Sequence, residues 1–176
     1  MSDISRIAQA VEFAAIRHAH QRRKGASEAP YFNHLAAVAA NVAKATGGRD
    51  PNLVIAAYLH DCIEDCGVSR AEIAEIFGED VASLVAEVTD DKSLPKEARK
   101  RQQVEHAAHV PHGAKLIKLA DKTANLRDLA DFPPADWPAF RRREYFDWAA
   151  LVVGQVRGAH PGLEGLFDAA HARRPD

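Results

Sequence analysis

The sequence predicts an all-α fold, a bundle of about eight to ten helices, and three observations carry that expectation. Apolar residues recur at intervals of three and four along most of the chain, no stretch alternates apolar and polar as a half-buried strand does, and glycines and prolines cut the chain into helix-sized lengths. At 176 residues the chain has the size of one domain, with neither repeat nor linker to divide it. Residues 1–176 are therefore read as a single compact domain that buries its core without disulfides.

From about residue 5 to 20, Ile7, Ala10, Val11, Ala14, Ala15, Ile16 and Ala19 lie close to one helical face. Residues 21–30 break the pattern as a basic loop containing Arg23, Lys24 and Gly25. A second helix is expected from about His34 to Thr46, stopped by Gly47-Gly48, and a third from Pro51, a residue suited to a first turn. Ser69-Arg-Ala-Glu72 has the form of a capping box for a short helix that Gly78 closes. Further helices are expected at about 79–89, at 96–109 after Pro95, and at 114–130 after Gly113. The last two, at about 137–158 and 162–172, are bounded by prolines.

Composition excludes several roles. With 23 basic and 25 acidic residues the net charge is -2, which gives no overall bias toward nucleic acid, so any nucleotide preference must come from a local cluster. No apolar run approaches a membrane span and the N-terminus lacks the pattern of a signal peptide, so the expected place is the cytoplasm. Cys62 and Cys66, four apart and on one face of a continuing helix, are read as reduced thiols in preference to a redox pair or zinc ligands.

The chemistry lies in His34, the adjacent His60-Asp61, and Asp121, side chains able to hold one divalent metal from three segments. Imidazole and carboxylate without thiolate suit Mn²⁺, Fe²⁺ or Zn²⁺ with positions left open for water. The run from Leu53 to Leu59 is apolar and then turns polar, so the pair falls at the end of a buried helix, where uncompensated polar groups are costly. Glu64 and Asp65 follow about one turn later, near enough to handle a proton. Asp121 and Asn125 share a face, while Leu116, Leu119, Ala120, Thr123 and Leu126 are free to pack. Alone, Asp121 reads as an exposed partner of Lys118 or Lys122; beside the other three it reads as a ligand.

These residues resemble the HD metal-dependent phosphohydrolase superfamily, and His60-Asp61-x-x-Glu64-Asp65 is similar to its (p)ppGpp hydrolase branch. Pro30–His34, Thr89–Lys96, Lys118–Asp128 and Glu144–Ala149 support the resemblance, which is nearest to the stand-alone small alarmone hydrolases, the SpoT homologues without synthetase regions. It implies an HD-domain bundle in which His34, His60, Asp61 and Asp121 hold Mn²⁺ while Glu64 and Asp65 position and deprotonate the attacking water. The implied reaction is 3′-pyrophosphohydrolysis of ppGpp or pppGpp to GDP or GTP. Arg23 and Lys24 would lie along the base and affect recognition alone; Lys96, Arg141 and Tyr145 would hold the 5′ phosphates, with Asn125 near the ribose. Two alternatives stay open: an HD phosphatase acting on NADPH or another nucleotide, and a non-catalytic alarmone-binding module. Leu35 stands where many relatives have Pro, and the loop Gly25–Ala29 has its own length.

Overall fold

Ten helices and no sheet follow from this punctuation in the structure, a computed structural model that describes residues 1–176. They are α1 (Asp3–Arg17), α2 (Phe32–Thr46), α3 (Pro51–Leu59), α4 (Cys62–Cys66), α5 (Arg70–Phe77), α6 (Glu79–Val88), α7 (Lys96–Ala107), α8 (His112–Asp131), α9 (Ala139–Gly154) and α10 (Pro161–His171). An isolated antiparallel bridge, Arg22 to Pro30, ties the two ends of the basic loop together.

Local chemistry sets the ends. The Asp50 carboxylate accepts the Leu53 amide at 3.0 Å with Pro51 in the first turn of α3, and Ser2 accepts the Ser5 amide ahead of α1. Each satisfies a donor that the helix leaves free. Gly47 and Gly67 close α2 and α4 at φ of +62° and +67°, a left-handed conformation that side chains with a Cβ disfavour. The capping box before α5 forms by half. Ser69 Oγ accepts the Glu72 amide at 3.1 Å, but the Glu72 carboxylate turns to Arg17 of α1 at 2.5 Å, a stronger charged partner than a backbone amide.

A core of 35 buried residues draws on every helix. At its centre lies α8, in contact with α2, α3, α6, α9 and α10. Leu116, Leu119, Ala120, Thr123 and Leu126 are buried there, as their spacing predicts. On α1 the inward face runs through Ala10, Ala14 and His18, whereas Ile16 is 66% exposed. The short α3 buries Leu53, Val54, Ile55, Ala56, Ala57 and Leu59, and so carries His60 into the interior at its C-terminal end. No helix is long and apolar enough to cross a membrane.

Candidate metal centre and cleft

Packing of α2 against α3 and α8 brings together the residues that sequence separates. His34 lies in the first turn of α2, His60 is the C-cap of α3, Asp61 is the N-cap of α4, and Asp121 sits midway along α8. His34 Nε2 is 3.2 Å from Asp121 Oδ1 and 3.8 Å from Asp61 Oδ2. His60 Nε2 is 3.2 Å from Asp61 Oδ2 and 3.8 Å from Asp121 Oδ1. Donors bound about 2.1 Å from one ion stand roughly 3.0–3.5 Å apart, and the ligand atoms of His34, His60 and Asp121 all lie within 4.8 Å of one another, close enough to share a cation, with Asp61 beside His60 as a further donor. His60 Nε2 makes no hydrogen bond despite its burial. The lone pair, the two carboxylate oxygens and the second imidazole fit a divalent metal.

Neighbouring groups aim these donors. His60 Nδ1 donates to the Ala57 carbonyl at 2.8 Å, which fixes that proton and leaves Nε2 as the ligand atom. Asp121 uses its oxygens differently: Oδ2 pairs with Lys122 Nζ at 2.9 Å, and Oδ1 faces the histidines while accepting Asn125 Nδ2 at 2.7 Å. Oδ2 thus makes an ion pair, though not as the exposed residue that reading supposed, while Oδ1 is left to face a cation. Burial works to raise the pKa of both aspartates, but the histidines beside Asp61, and Lys122 with the histidines beside Asp121, hold both well below the usual range. Burial also keeps His34 below its ordinary value. For His60 burial acts downward, yet Asp61 and then Asp121 reverse it and lift the pKa to about 9. A divalent cation replaces the proton that those carboxylates attract, so loading releases protons and tightens as pH rises.

Tyr31, quoted in the Pro30–His34 stretch but given no role by sequence, donates its hydroxyl to Asp61 Oδ2 at 2.7 Å. Burial and the Asp61 charge keep this phenol protonated. Tyr31→Phe is expected to weaken Mn²⁺ affinity about 10–100-fold, the usual effect of losing a hydrogen bond to a metal ligand, with the fold unchanged. Isothermal titration of stripped protein with Mn²⁺ checks this, and unaltered affinity would remove Tyr31 from the centre.

Glu64 and Asp65 diverge. Glu64 opens on a cleft of about 1190 Å³ that His60, Asp61 and Asp121 also line. Its Oε2 accepts the Asp90 amide at 3.1 Å. Burial, against that hydrogen bond and with help from Asp90, Asp61 and Asp65, pushes Glu64 up to about 7. Asp65 is engaged instead by Gln21 Nε2 at 2.8 Å and by Lys92, and it lines a second cavity of about 800 Å³.

The expected substrate residues also gather here. Lys24, Lys96, Asn125, Arg141 and Tyr145 line the cleft with His60, Asp61 and Asp121, and Arg23 lines the second cavity with His34, Lys24, Asn125 and Tyr145. Arg141 lies 4.1 Å above the Trp137 ring. Arg23 is not a free arm: Nε bonds Asp128 Oδ2 and Nη2 bonds Asn125 Oδ1, each at 2.8 Å, over the Tyr31 ring. Asn125 therefore links Arg23, 102 residues before it, to Asp121, a connection that sequence spacing does not show. Lys118 and Lys122 also line the cleft, 7% and 6% exposed. The sequence marks both only as possible partners of Asp121, and nothing in their spacing shows that they are buried.

Residues 10–151 match the family model of the HD domain. The chain is 48% identical over 167 residues to the guanosine-3′,5′-bis(diphosphate) 3′-pyrophosphohydrolase MESH1 of Xenopus tropicalis, covering 95% of this chain and 93% of that one. Human MESH1 is 47% identical over 163 residues, covering 93% and 91%. Among solved structures, a metazoan SpoT orthologue that hydrolyses ppGpp superposes with a TM-score of 0.92 at 44% identity, over 96% of this chain and 95% of that one. Alike in fold and in sequence over nearly its whole length, the chain belongs to the HD-domain superfamily, in the stand-alone branch of MESH1 and SpoT homologues.

Proposed function

We propose that this chain is a Mn²⁺-dependent (p)ppGpp 3′-pyrophosphohydrolase, a single-domain cytoplasmic enzyme that converts ppGpp to GDP, or pppGpp to GTP, with release of pyrophosphate. The observation that carries this reading is one cleft onto which His60, Asp61 and Asp121, a carboxylate with a pKa near neutrality and a set of cations all open. When bound, a divalent cation held by His34, His60, Asp61 and Asp121 supplies Lewis acidity to the phosphoryl group and the attacking water.

The chain's own residues do the rest. Glu64, poised near neutrality, accepts the proton of water as its oxygen joins the 3′-linked phosphorus. The bond from that phosphorus to the 3′ oxygen breaks, and the freed oxygen takes up a proton to become a hydroxyl. Lys24, Lys96 and Arg141 offset the charge of the substrate phosphates, and Tyr145, which burial keeps protonated, donates a hydrogen bond. Asn125 holds Asp121 in place next to the ribose. Asp65 acts from the neighbouring cavity, fixing Gln21 and Lys92. A panel of ppGpp, pppGpp and NADPH, each with Mn²⁺, Fe²⁺ and Zn²⁺, tests the assignment: kcat/KM should be highest for a guanosine alarmone with Mn²⁺, and a preference for NADPH would overturn the substrate.

Arg23→Ala is expected to raise KM for ppGpp. Because Arg23 also bonds Asn125, the substitution should in addition loosen Asp121 and weaken Mn²⁺ binding, whereas recognition alone was the expectation from sequence. Arg23→Lys should rescue little, since an ammonium cannot bond Asn125 and Asp128 through one planar fork. Steady-state kinetics together with Mn²⁺ titration check both effects, and wild-type values for the alanine variant would count against the role.

A further inference from the structure

Along α8 the residues that open on the cleft stand in a row. Lys118, Asp121 and Asn125 follow one another at about one helical turn each, so their side chains share a face in that order along the axis. Two of the three are engaged: Asp121 faces the histidines, and Asn125 joins it to Arg23. Lys118 is not. Its side chain is 7% exposed, its Nζ opens on the cleft, and it makes neither an ion pair nor a side-chain hydrogen bond. Lys122, the other buried cation of this helix, is committed to Asp121 Oδ2 at 2.9 Å and lies 4.6 Å from the centre of the Trp148 ring. Burial and the Lys122 charge hold the Lys118 pKa below its ordinary value, and Asp90, Asp121 and Glu64 oppose them without forming an ion pair. A buried ammonium without a partner is costly, and an anion in the cleft would supply the partner.

We propose that Lys118 anchors the terminal phosphate of a 3′-diphosphate and so selects that group over a 3′-monophosphate. This role depends on the cleft being a (p)ppGpp site, and the direction of α8 then decides which phosphate Lys118 meets. Arg23 bonds both Asn125 and Asp128, so the basic loop lies against the C-terminal half of α8, where the second cavity runs past Asn125, Asp128, Leu129 and Phe132. Toward the N-terminal half the cleft takes over, through Asp121 and Lys118 to Ile117. A nucleotide laid along the helix with its base at the loop has its ribose at Asn125, its reacting phosphorus at Asp121 and the next phosphate at Lys118. The ammonium offers three N–H donors to the oxygens of that phosphate, and no proton is transferred. A 3′-monophosphate ends at Asp121 and falls short of Lys118.

Lys118→Met, which keeps the buried stem and removes the charge, provides the test. Mn²⁺-loaded wild type and variant are given ppGpp and guanosine 5′-diphosphate 3′-monophosphate, and kcat and KM are measured from the pyrophosphate and the phosphate released. The expected result is a wild-type preference for ppGpp that shrinks about 10–100-fold in the variant, the worth of one hydrogen bond to a charged group, through a higher KM for ppGpp alone. The variant should melt no lower than wild type, because methionine takes the place of an ammonium that has no partner in the protein. Circular dichroism checks the fold, and Lys118→Gln decides the matter if the methionine variant does not fold. Equal loss on both substrates would make Lys118 structural and overturn the anchor, as would a preference for ppGpp that survives in the folded variant. A wild type that prefers the monophosphate, or turns over neither guanosine substrate, would remove the reading of the cleft and the anchor with it.

Discussion

His60→Ala and Asp121→Ala are each expected to lose bound Mn²⁺ and essentially all turnover. The four donor atoms come from separate positions on α2, α3, α4 and α8 and stand 3.2–3.8 Å from their neighbours, so none can cover for another. The two variants should differ in their effect on the fold. Removing Asp121 leaves Lys122 buried without its carboxylate partner and Asn125 without an acceptor, which is costly. Removing His60 takes away one hydrogen bond to the Ala57 carbonyl. Asp121→Ala should accordingly melt lower than His60→Ala. Elemental analysis and thermal unfolding check these outcomes, and full Mn²⁺ occupancy in either variant would contradict the ligand assignment.

Glu64→Gln is expected to keep the metal and the substrate while losing about 10²–10⁴-fold in kcat, the range for a general acid/base group. The same change should alter the pH profile. Wild-type kcat/KM should fall on acidification as Glu64 gains its proton, at or somewhat below pH 7, since a nearby cation lowers a carboxyl pKa. The glutamine variant should lack that limb. Stability moves the other way. A carboxyl whose pKa is higher folded than unfolded binds more protons when folded, so its contribution falls as pH rises from about 4.5 through about 7. The metal-free glutamine variant should thus be at least as stable as wild type at pH 8. Asp65→Asn, which disturbs Gln21 and Lys92 but leaves the cleft carboxylate in place, should cost less activity. Loss of metal in Glu64→Gln would make Glu64 a ligand.

Most of the helix ends were legible because caps are local: Pro51 behind Asp50, Gly47 and the Ser69 cap all act within a few residues. That His34, His60 and Asp121 come together as a possible metal cluster could be anticipated because a polar pair after an apolar run has no cheap burial without a partner. What the sequence left open depends on distant segments. The chain turns between His60 and Asp61 with neither Gly nor Pro, so the start of α4 carries no local mark. Glu72 chooses Arg17 over its own helix, Asp65 chooses Lys92 over the cleft, and Arg23 chooses α8 over solvent. Periodicity tells which face of a helix is buried but not which charge arrives from elsewhere to meet it. His18 is the clearest case: it continues the Ala10–Ala14 row by one four-residue step, but as a polar side chain at the helix end its burial beside Cys62 and Cys66 depends on α4.

The central claim concerns which bond breaks and what leaves. Metal-stripped protein restored with Mn²⁺ and given ppGpp in water labelled with ¹⁸O should yield unlabelled GDP and pyrophosphate carrying one ¹⁸O, resolved by mass spectrometry of the separated products. Release of inorganic phosphate in place of pyrophosphate, or label in the nucleoside product, would contradict attack of water at the 3′-linked phosphorus, and with it the reading of the cleft.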